Sequence, residues 1–250
     1  MRHILRTFLA LAGVLILSGG GHAQDEARTL LDRAIKARGG EERLAKIKAW
    51  QTKTKGTLEL PMVGSTEFTG QAFVHPPNRS RVEIELNAMG QTVPVQVAFD
   101  GTSAWRSLMG NTMDISGPEL KNMQASAYVQ HIALLVPLKD KQYTLALLEE
   151  IKVESKPAVG LKVTARDRPE IKLFFDKESA LLVRIVRMVY DRQEDKEVLA
   201  ETTFSEHKAT DGVTFPMRSK VVRGGMKVEE TQTLEIKFID QLDPKLFQKP

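Results

Sequence analysis

The side chains most able to do chemistry in this sequence are its histidines, serines and carboxylates, and none has a catalytic or metal-binding spacing. His75, His131 and His207 lie far apart along the chain, which contains no cysteine. Zinc sites are normally built from closely spaced histidine or cysteine ligands, so the sequence predicts no metal site. No serine lies in a Gly-x-Ser-x-Gly motif. We therefore predict no catalytic residue and no cofactor, and we expect a protein that is not an enzyme.

Two adjacent glycines, Gly39 and Gly40, stand between two charge-rich segments. A phosphate-binding loop would need a preceding strand and a Gly-Lys-Ser or Gly-Lys-Thr ending, and neither is found here. From residue 25 to 38, apolar residues recur at the spacing of one helix face. Gly39 suits the position after a helix, because glycine reaches positive φ without a Cβ penalty. We predict a helix over 25–38 and a shorter one over 41–48.

The remaining candidate for function is an apolar binding site. The segment 119–137 has a wide apolar helical stripe, with Pro118 suited to its first turn and Pro137 to its end. A helix this apolar needs cover, so we place it against or inside a curved sheet. Methionine adapts to irregular shapes, which favours either gap filling in a core or contact with a ligand. The predicted lining residues of an apolar cavity are Trp105, Met113, Met123, Tyr128, Ile132 and Leu135.

Most of the chain from Trp50 onward alternates apolar and polar residues, which is typical of strands with one solvated face. The segment WQTKTKGTLEL is one example, and RVEIEL, VPVQVAF, LKVTA and LEIKF are others. Asp100-Gly101 and Asp211-Gly212 are dipeptides that favour hairpin turns. Short connections leave no room for the crossover helices of a parallel sheet. The pattern predicts about ten or eleven antiparallel strands, more than an open sheet of this length holds without curling.

Composition and the first residues indicate an exported protein with one domain. The 250 residues are 42% hydrophobic and 27% charged, as in ordinary globular proteins, and no linker divides them. Residues 1–23 combine the basic Arg2 and Arg6 with a short apolar run and small residues, which predicts a secretory signal peptide. Its removal lowers the formal charge from +4 to 4 − 2 = +2, too weak a charge to favour nucleic acid. We expect residues 24–250 to form a single soluble domain in the periplasm.

Six short stretches give the chain a resemblance to a known family. They are GGEERLAKIKAW, HPPNRSRVEI, AFDGTSAW, FFDKESALLVRI, ATDGVTFP and DPKLFQKP. Together they resemble the LolA-like superfamily, exported proteins related to the carriers that sort outer-membrane lipoproteins. The resemblance implies a mainly β fold with a few helices (α+β): a curved, unclosed antiparallel β-barrel with a helical plug or lid. It also implies an apolar cavity that receives acyl chains.

We therefore predict a periplasmic carrier or binding protein that holds a lipid, an acyl chain or a lipoprotein tail. The predicted partners are that acyl chain and a membrane-associated protein, and we expect a monomer. An alternative is a periplasmic sensor or scaffold that binds a protein partner on its curved sheet without catalysis. An interior filled by phenylalanine and leucine would favour that alternative. A third hypothesis, an enzyme with an unrecognised site, requires polar residues with shifted pKa values to converge in the cavity.

Overall fold

A single antiparallel sheet of thirteen strands forms the body of the protein. The structure, a computed structural model, describes residues 19–88 and 90–250. The order across the sheet is β6-β5-β4-β3-β2-β1-β13-β12-β11-β10-β9-β8-β7. Apart from the β1–β13 pair, neighbours in the sheet are neighbours in sequence, as short hairpin connections require. Strands β1 to β13 are Ala49–Leu60, Gly64–His75, Arg79–Ala88, Gln91–Phe99, Ala104–Leu108, Asn111–Ile115, Thr144–Val153, Lys156–Thr164, Ile171–Asp176, Leu182–Asp191, Lys196–Thr210, Val213–Arg223 and Met226–Ile239.

Alternation along the strands assigns one face of the sheet to the interior. In β1, Trp50 and Thr52 are buried and line the interior together with Thr54. The intervening Lys53 and Lys55 are exposed. Because successive side chains point to opposite faces of a strand, the period predicted for this segment places its tryptophan and threonines on the concave side.

The sheet is not closed, because within the described residues its edge strands β6 and β7 do not pair with each other. These two strands are nevertheless consecutive in sequence, linked by helix α3, Gly117–Ile132, and a 3₁₀ helix, Val136–Lys139. The link must therefore cross from one edge of the sheet to the other. Asn122 fixes α3 to β10, since its Nδ2 donates to the Tyr190 carbonyl at 2.7 Å and its Oδ1 accepts from the Tyr190 amide at 3.0 Å. The predicted curved, unclosed antiparallel barrel with a helical lid is confirmed.

Two helices precede the sheet, α1 at Gly19–Arg38 and α2 at Glu41–Ala45, and a second 3₁₀ helix, Pro244–Phe247, follows it. The apolar stripe predicted for the first helix is buried, as expected. Its members are Ala27, Leu30, Leu31, Ala34 and Ile35. They pack in the largest core cluster with side chains of β7 to β10, including Leu145, Leu161, Leu173, Phe175 and Ile185. The chain therefore fills the part of the interior that lies beneath α1.

Several boundaries differ from the sequence predictions. The sheet has more strands than predicted, because strands as short as β5 and β6 contain too few residues to show a period. Helix α3 ends at Ile132 rather than 137, since Leu135 adopts a φ of 71° and Pro137 cannot continue an α-helix. Helix α2 ends at Ala45 rather than 48. Helix α1 begins at Gly19, inside the predicted signal peptide, and residues 1–18 lie outside the described residues. The signal peptide and the domain start at 24 stay predictions.

Candidate ligand-binding cavity

A cavity of about 280 Å³ lies between the concave face of the sheet and the C-terminal end of α3. Strands β1, β2, β10, β11, β12 and β13 supply its wall. The lining residues are Arg38, Trp50, Thr52, Thr54, Ala72, Val74, Val129, Gln130, Ala133, Leu181, Leu182, Ile185, Phe204, His207, Thr214, Phe215, Pro216, Ser219, Thr231 and Thr233. One part of the barrel interior is thus packed by the protein itself, and another part is open.

The cavity wall has two kinds of surface. Its larger apolar side chains are Trp50, Val74, Val129, Leu182, Ile185, Phe204 and Phe215. Its hydroxyl groups come from Thr52, Thr54, Thr214, Ser219, Thr231 and Thr233. Ligand sites commonly combine an apolar wall with a small number of placed polar groups that orient the ligand. This wall can therefore cover a hydrocarbon and also hydrogen-bond a polar group.

Arg38, the last residue of α1, brings a positive charge to the cavity. Gly39 has a φ of 132° and leaves no space for a Cβ beside the carbonyl of Gly212, so the helix ends against the β11–β12 turn. The Arg38 guanidinium donates to the carbonyl of Ala133, the C-cap residue of α3, and lies 6.0 Å from the ring centre of Phe215. Burial lowers the pKa of Arg38 to about 10, so the group stays charged at neutral pH. The residue is only partly shielded from solvent because it faces the open cavity.

Two more polar groups line the same cavity. The Nε2–H of His207 donates to the carbonyl oxygen of Leu182 at 3.0 Å. Burial lowers the pKa of His207 from its ordinary value of 6.5, and the nearby charge of Arg38 lowers it further. Gln130 carries a buried Oε1 that has no hydrogen-bond partner within the described residues. Arg38, His207 and Gln130 are therefore the cavity groups most able to respond to a polar ligand.

Arg187 on β10 is a second arginine with a lowered pKa, about 10, again through burial. Its Nη2 donates to Oγ of Ser126 on α3 at 2.9 Å. It does not belong to the cavity lining described above. Together with the Asn122–Tyr190 hydrogen bonds, this contact fixes the middle of α3 to β10.

Three of the six residues predicted to line the cavity lie elsewhere on the sheet and α3. Trp105 is buried, with its Nε1–H donating to the Phe247 carbonyl at 3.0 Å. The Arg81 guanidinium lies 5.4 Å from the Trp105 ring centre. Met113 is exposed on the edge strand β6. Met123 packs on a small cluster formed by Phe99, Ala104, Ile115 and Ala127.

The other three predicted residues are buried close to the open cavity without lining it. Tyr128 is stacked on Tyr143 with ring centres 6.5 Å apart, and burial raises its pKa to about 12. Ile132 and Leu135 are fully buried in the large core beneath α1. The structure therefore brings Tyr128, Ile132 and Leu135 together in one core, while Trp105, Met113 and Met123 lie apart from them. Contact of the six with a ligand stays a prediction.

Sequence reasoning missed Arg38, although the chain contains a signal for it. Arg38 follows Leu31 and Ala34 at helical spacing, so it continues the buried stripe of α1 rather than its solvated side. A charge on an apolar stripe is costly unless it meets a partner, which marks the position as unusual. Phe204, His207 and Phe215 carry no comparable signal, because only the pairing of β11 with β12 brings them together.

The sequence matches no protein-family model and no curated protein. Solved structures do match it. A LolA superfamily protein from Nitrosomonas europaea gives a TM-score of 0.54 at 13% identity, covering 89% of this chain and 97% of that one. A domain from Vibrio parahaemolyticus, assigned to outer membrane lipoprotein sorting, gives 0.54 at 12% identity, covering 90% and 97%. A DUF1329 family protein from Desulfovibrio piger gives 0.56 at 13% identity, covering 89% and 97%. The chain has the LolA-like fold.

Within this LolA-like fold, the cavity lies on the concave side that α3 crosses. None of the helices in the described ranges has the length and apolar character needed to cross a lipid bilayer. In residues 19–88 and 90–250, no group of three or more His, Cys, Asp or Glu side chains is placed to hold a metal ion. The cavity is therefore the feature on which a functional proposal can be built.

Proposed function

We propose that this protein is a periplasmic carrier or binding protein that holds the acyl chain of a lipid or lipoprotein in the cavity beneath α3. The observation that carries the proposal is the open, partly apolar cavity inside a LolA-like barrel. Export follows from the predicted signal peptide of residues 1–23. An interior filled by phenylalanine and leucine would favour the scaffold alternative. Phe204 and Phe215 instead line an open space, which supports the carrier.

The cavity volume sets the length of hydrocarbon that fits. About 280 Å³ is about nine times the roughly 30 Å³ that a water molecule occupies in the liquid, and a methylene group is close to water in size. Burying about nine methylenes stabilises the complex by ~7 kcal/mol, at ~0.8 kcal/mol each. Association costs on the order of 4–15 kcal/mol, so this hydrocarbon alone gives weak binding. Longer chains must project from the cavity or displace α3.

Movement of α3 would widen the cavity, because Val129, Gln130 and Ala133 form one of its walls. Buried Tyr128 and Ile132 resist this movement through apolar packing, and three polar contacts add to it. These polar contacts are the Asn122–Tyr190 pair, the Arg187–Ser126 hydrogen bond and the contact between Arg38 and the Ala133 carbonyl. Each such hydrogen bond contributes only about 1 kcal/mol net, so the burial of Tyr128 and Ile132 in the core beneath α1 is the larger part of the cost of moving α3.

Intrinsic fluorescence offers a direct test, because the chain has two tryptophans and Trp50 lines the cavity while Trp105 does not. We expect added dodecanoate to change the emission of the purified protein, with the change lost in Trp50→Phe and kept in Trp105→Phe. Native mass spectrometry of the same sample should show the added mass. A protein that gains no mass and shows no Trp50 response contradicts the proposal.

A substitution that fills the cavity gives a second test, with the same substitution outside the cavity as its control. Ala72 lines the cavity from β2, and Ala72→Phe should reduce dodecanoate binding by occupying the space. Ala146 is a half-buried alanine on β7, paired with Lys162 and outside the cavity lining, so Ala146→Phe is the control. Equal binding by the two variants would show that the hydrocarbon binds elsewhere.

A further inference from the structure

The cavity contains a charge that its own wall does not neutralise. Arg38 is its permanent cation, and no aspartate or glutamate is found among the described lining residues. Arg38 also takes part in no salt bridge within residues 19–88 and 90–250, whereas most arginines of the sheet, such as Arg81, Arg184 and Arg218, pair with glutamates. A cation partly shielded from water without a counter-ion carries a desolvation cost, which an anion in the cavity would offset.

The end of α3 supplies only part of the missing negative charge. The Ala133 carbonyl accepts one hydrogen bond from a guanidinium that has five N–H donors. The helix dipole adds the equivalent of about half a negative charge at a C-terminus. His207 is the other ionisable group of the wall, and burial lowers its pKa, which favours its neutral form. A net positive charge therefore remains inside a wall that is otherwise apolar or neutral.

We propose that Arg38 binds the anionic headgroup of the ligand, so that the cavity selects acidic single-chain amphiphiles over neutral ones of the same length. The proposal rests on the acyl-chain function above and deepens it by naming the ligand class. The shared chemistry is a compact oxyanion, either a carboxylate or a phosphate monoester. A planar guanidinium matches both of them with paired N–H groups.

The amide of Gln130 provides a second, independent indication. Gln130 belongs to the cavity lining, and its amide oxygen Oε1 is buried without a hydrogen-bond partner in the described residues. Turning the amide over presents its NH₂ group in the same place, where it can donate to an anion. The threonine hydroxyls of Thr52 and Thr54 add further donors on β1. Cation, amide and hydroxyls therefore all belong to the lining of one cavity.

Isothermal titration of the delipidated full chain tests this selectivity with probes that share one dodecyl chain: dodecanoate, dodecyl phosphate, 1-dodecanol and methyl dodecanoate. We expect at least one anion to bind about ten- to hundredfold more tightly than the alcohol and the ester, as a charge-assisted hydrogen bond provides. The tighter of the two anions identifies the headgroup source. Arg38→Met should abolish this ratio, and Arg38→Lys should keep part of it.

The control variant is Lys36→Met, which removes the same charge from the exposed side of the same helical turn and should leave the ratio unchanged. The ratio of anion to alcohol affinity is unaffected when a fraction of a variant is unfolded, so it remains a valid readout. Equal affinities for anion and alcohol in the parent protein would overturn the inference while the acyl-chain function stands. A ratio preserved in Arg38→Met would overturn the role of Arg38. Binding of none of the probes would instead contradict the acyl-chain function itself.

Discussion

The size of the cavity predicts how affinity depends on the length of the acyl chain. Each methylene that enters the cavity contributes ~0.8 kcal/mol, which is roughly a fourfold gain in affinity. The cavity of about 280 Å³ is full at about nine methylenes. In a series of saturated monocarboxylates, affinity should therefore rise by roughly two orders of magnitude from hexanoate to decanoate. From dodecanoate to hexadecanoate the affinity should rise in total by less than the gain of about fourfold that one methylene gives inside the cavity.

Titration calorimetry below the micellar concentration of each acid measures this series, with Trp50 emission as a second readout. The break is the chain length at which further methylenes stop adding affinity. Ala72→Phe should move this break to shorter chains, because its ring occupies part of the same space. Ala146→Phe should leave the break where it is. A fourfold gain per methylene that continues unchanged to hexadecanoate would refute the volume argument, since about nine methylenes fill the space beneath α3 in its present position. A break that moves equally in both variants would also refute it.

Three further predictions concern the stability of the fold. Lowering the pH from 7 toward 5 should destabilise the protein, because burial lowers the pKa of both His207 and His131 and the unfolded chain therefore binds their protons more tightly. This stability is complete above the ordinary pKa of 6.5 and is lost as the pH falls. His207→Gln should make the melting-temperature profile less steep over this range, and an unchanged slope would contradict the contribution of His207. Ile132→Ala should lower the free energy of unfolding, measured with urea, by about 2–5 kcal/mol. Leu234→Ala, at an exposed site, is the control and should lower it far less. Similar losses in the two variants would contradict the assignment of Ile132 to the core. Gly39→Ala should lower the free energy of unfolding more than Gly40→Ala. Both glycines have a positive φ, but only a Cβ at position 39 would clash with the carbonyl of Gly212. Equal losses of stability would argue against that close contact.

Much of the fold followed from local patterns. The period of two predicted strands such as β1, whose Trp50 and Thr52 face the interior as expected. The stripe of α1 and the glycine after it predicted a buried helix face and its end at Arg38. Asp211-Gly212 predicted the β11–β12 hairpin. These features depend on the spacing of a few neighbouring residues, which is the information that a single sequence contains.

The binding site was determined by the tertiary structure, because its residues come from both ends of the chain and meet only through long-range pairing. β1 and β13 are far apart in the sequence, and their pairing places Thr54 opposite Thr233 and Gly56 opposite Thr231, so that both strands contribute to the cavity wall. Trp105 looked equally suitable in sequence, yet the C-terminal segment covers it through Phe247. The sequence by itself determined which side chains face inward on elements with a clear period, such as α1 and β1. Only the packing of α1 and α3 over the curved sheet decided which of them form the core and which surround an open space, since that choice depends on how much interior volume the helices fill.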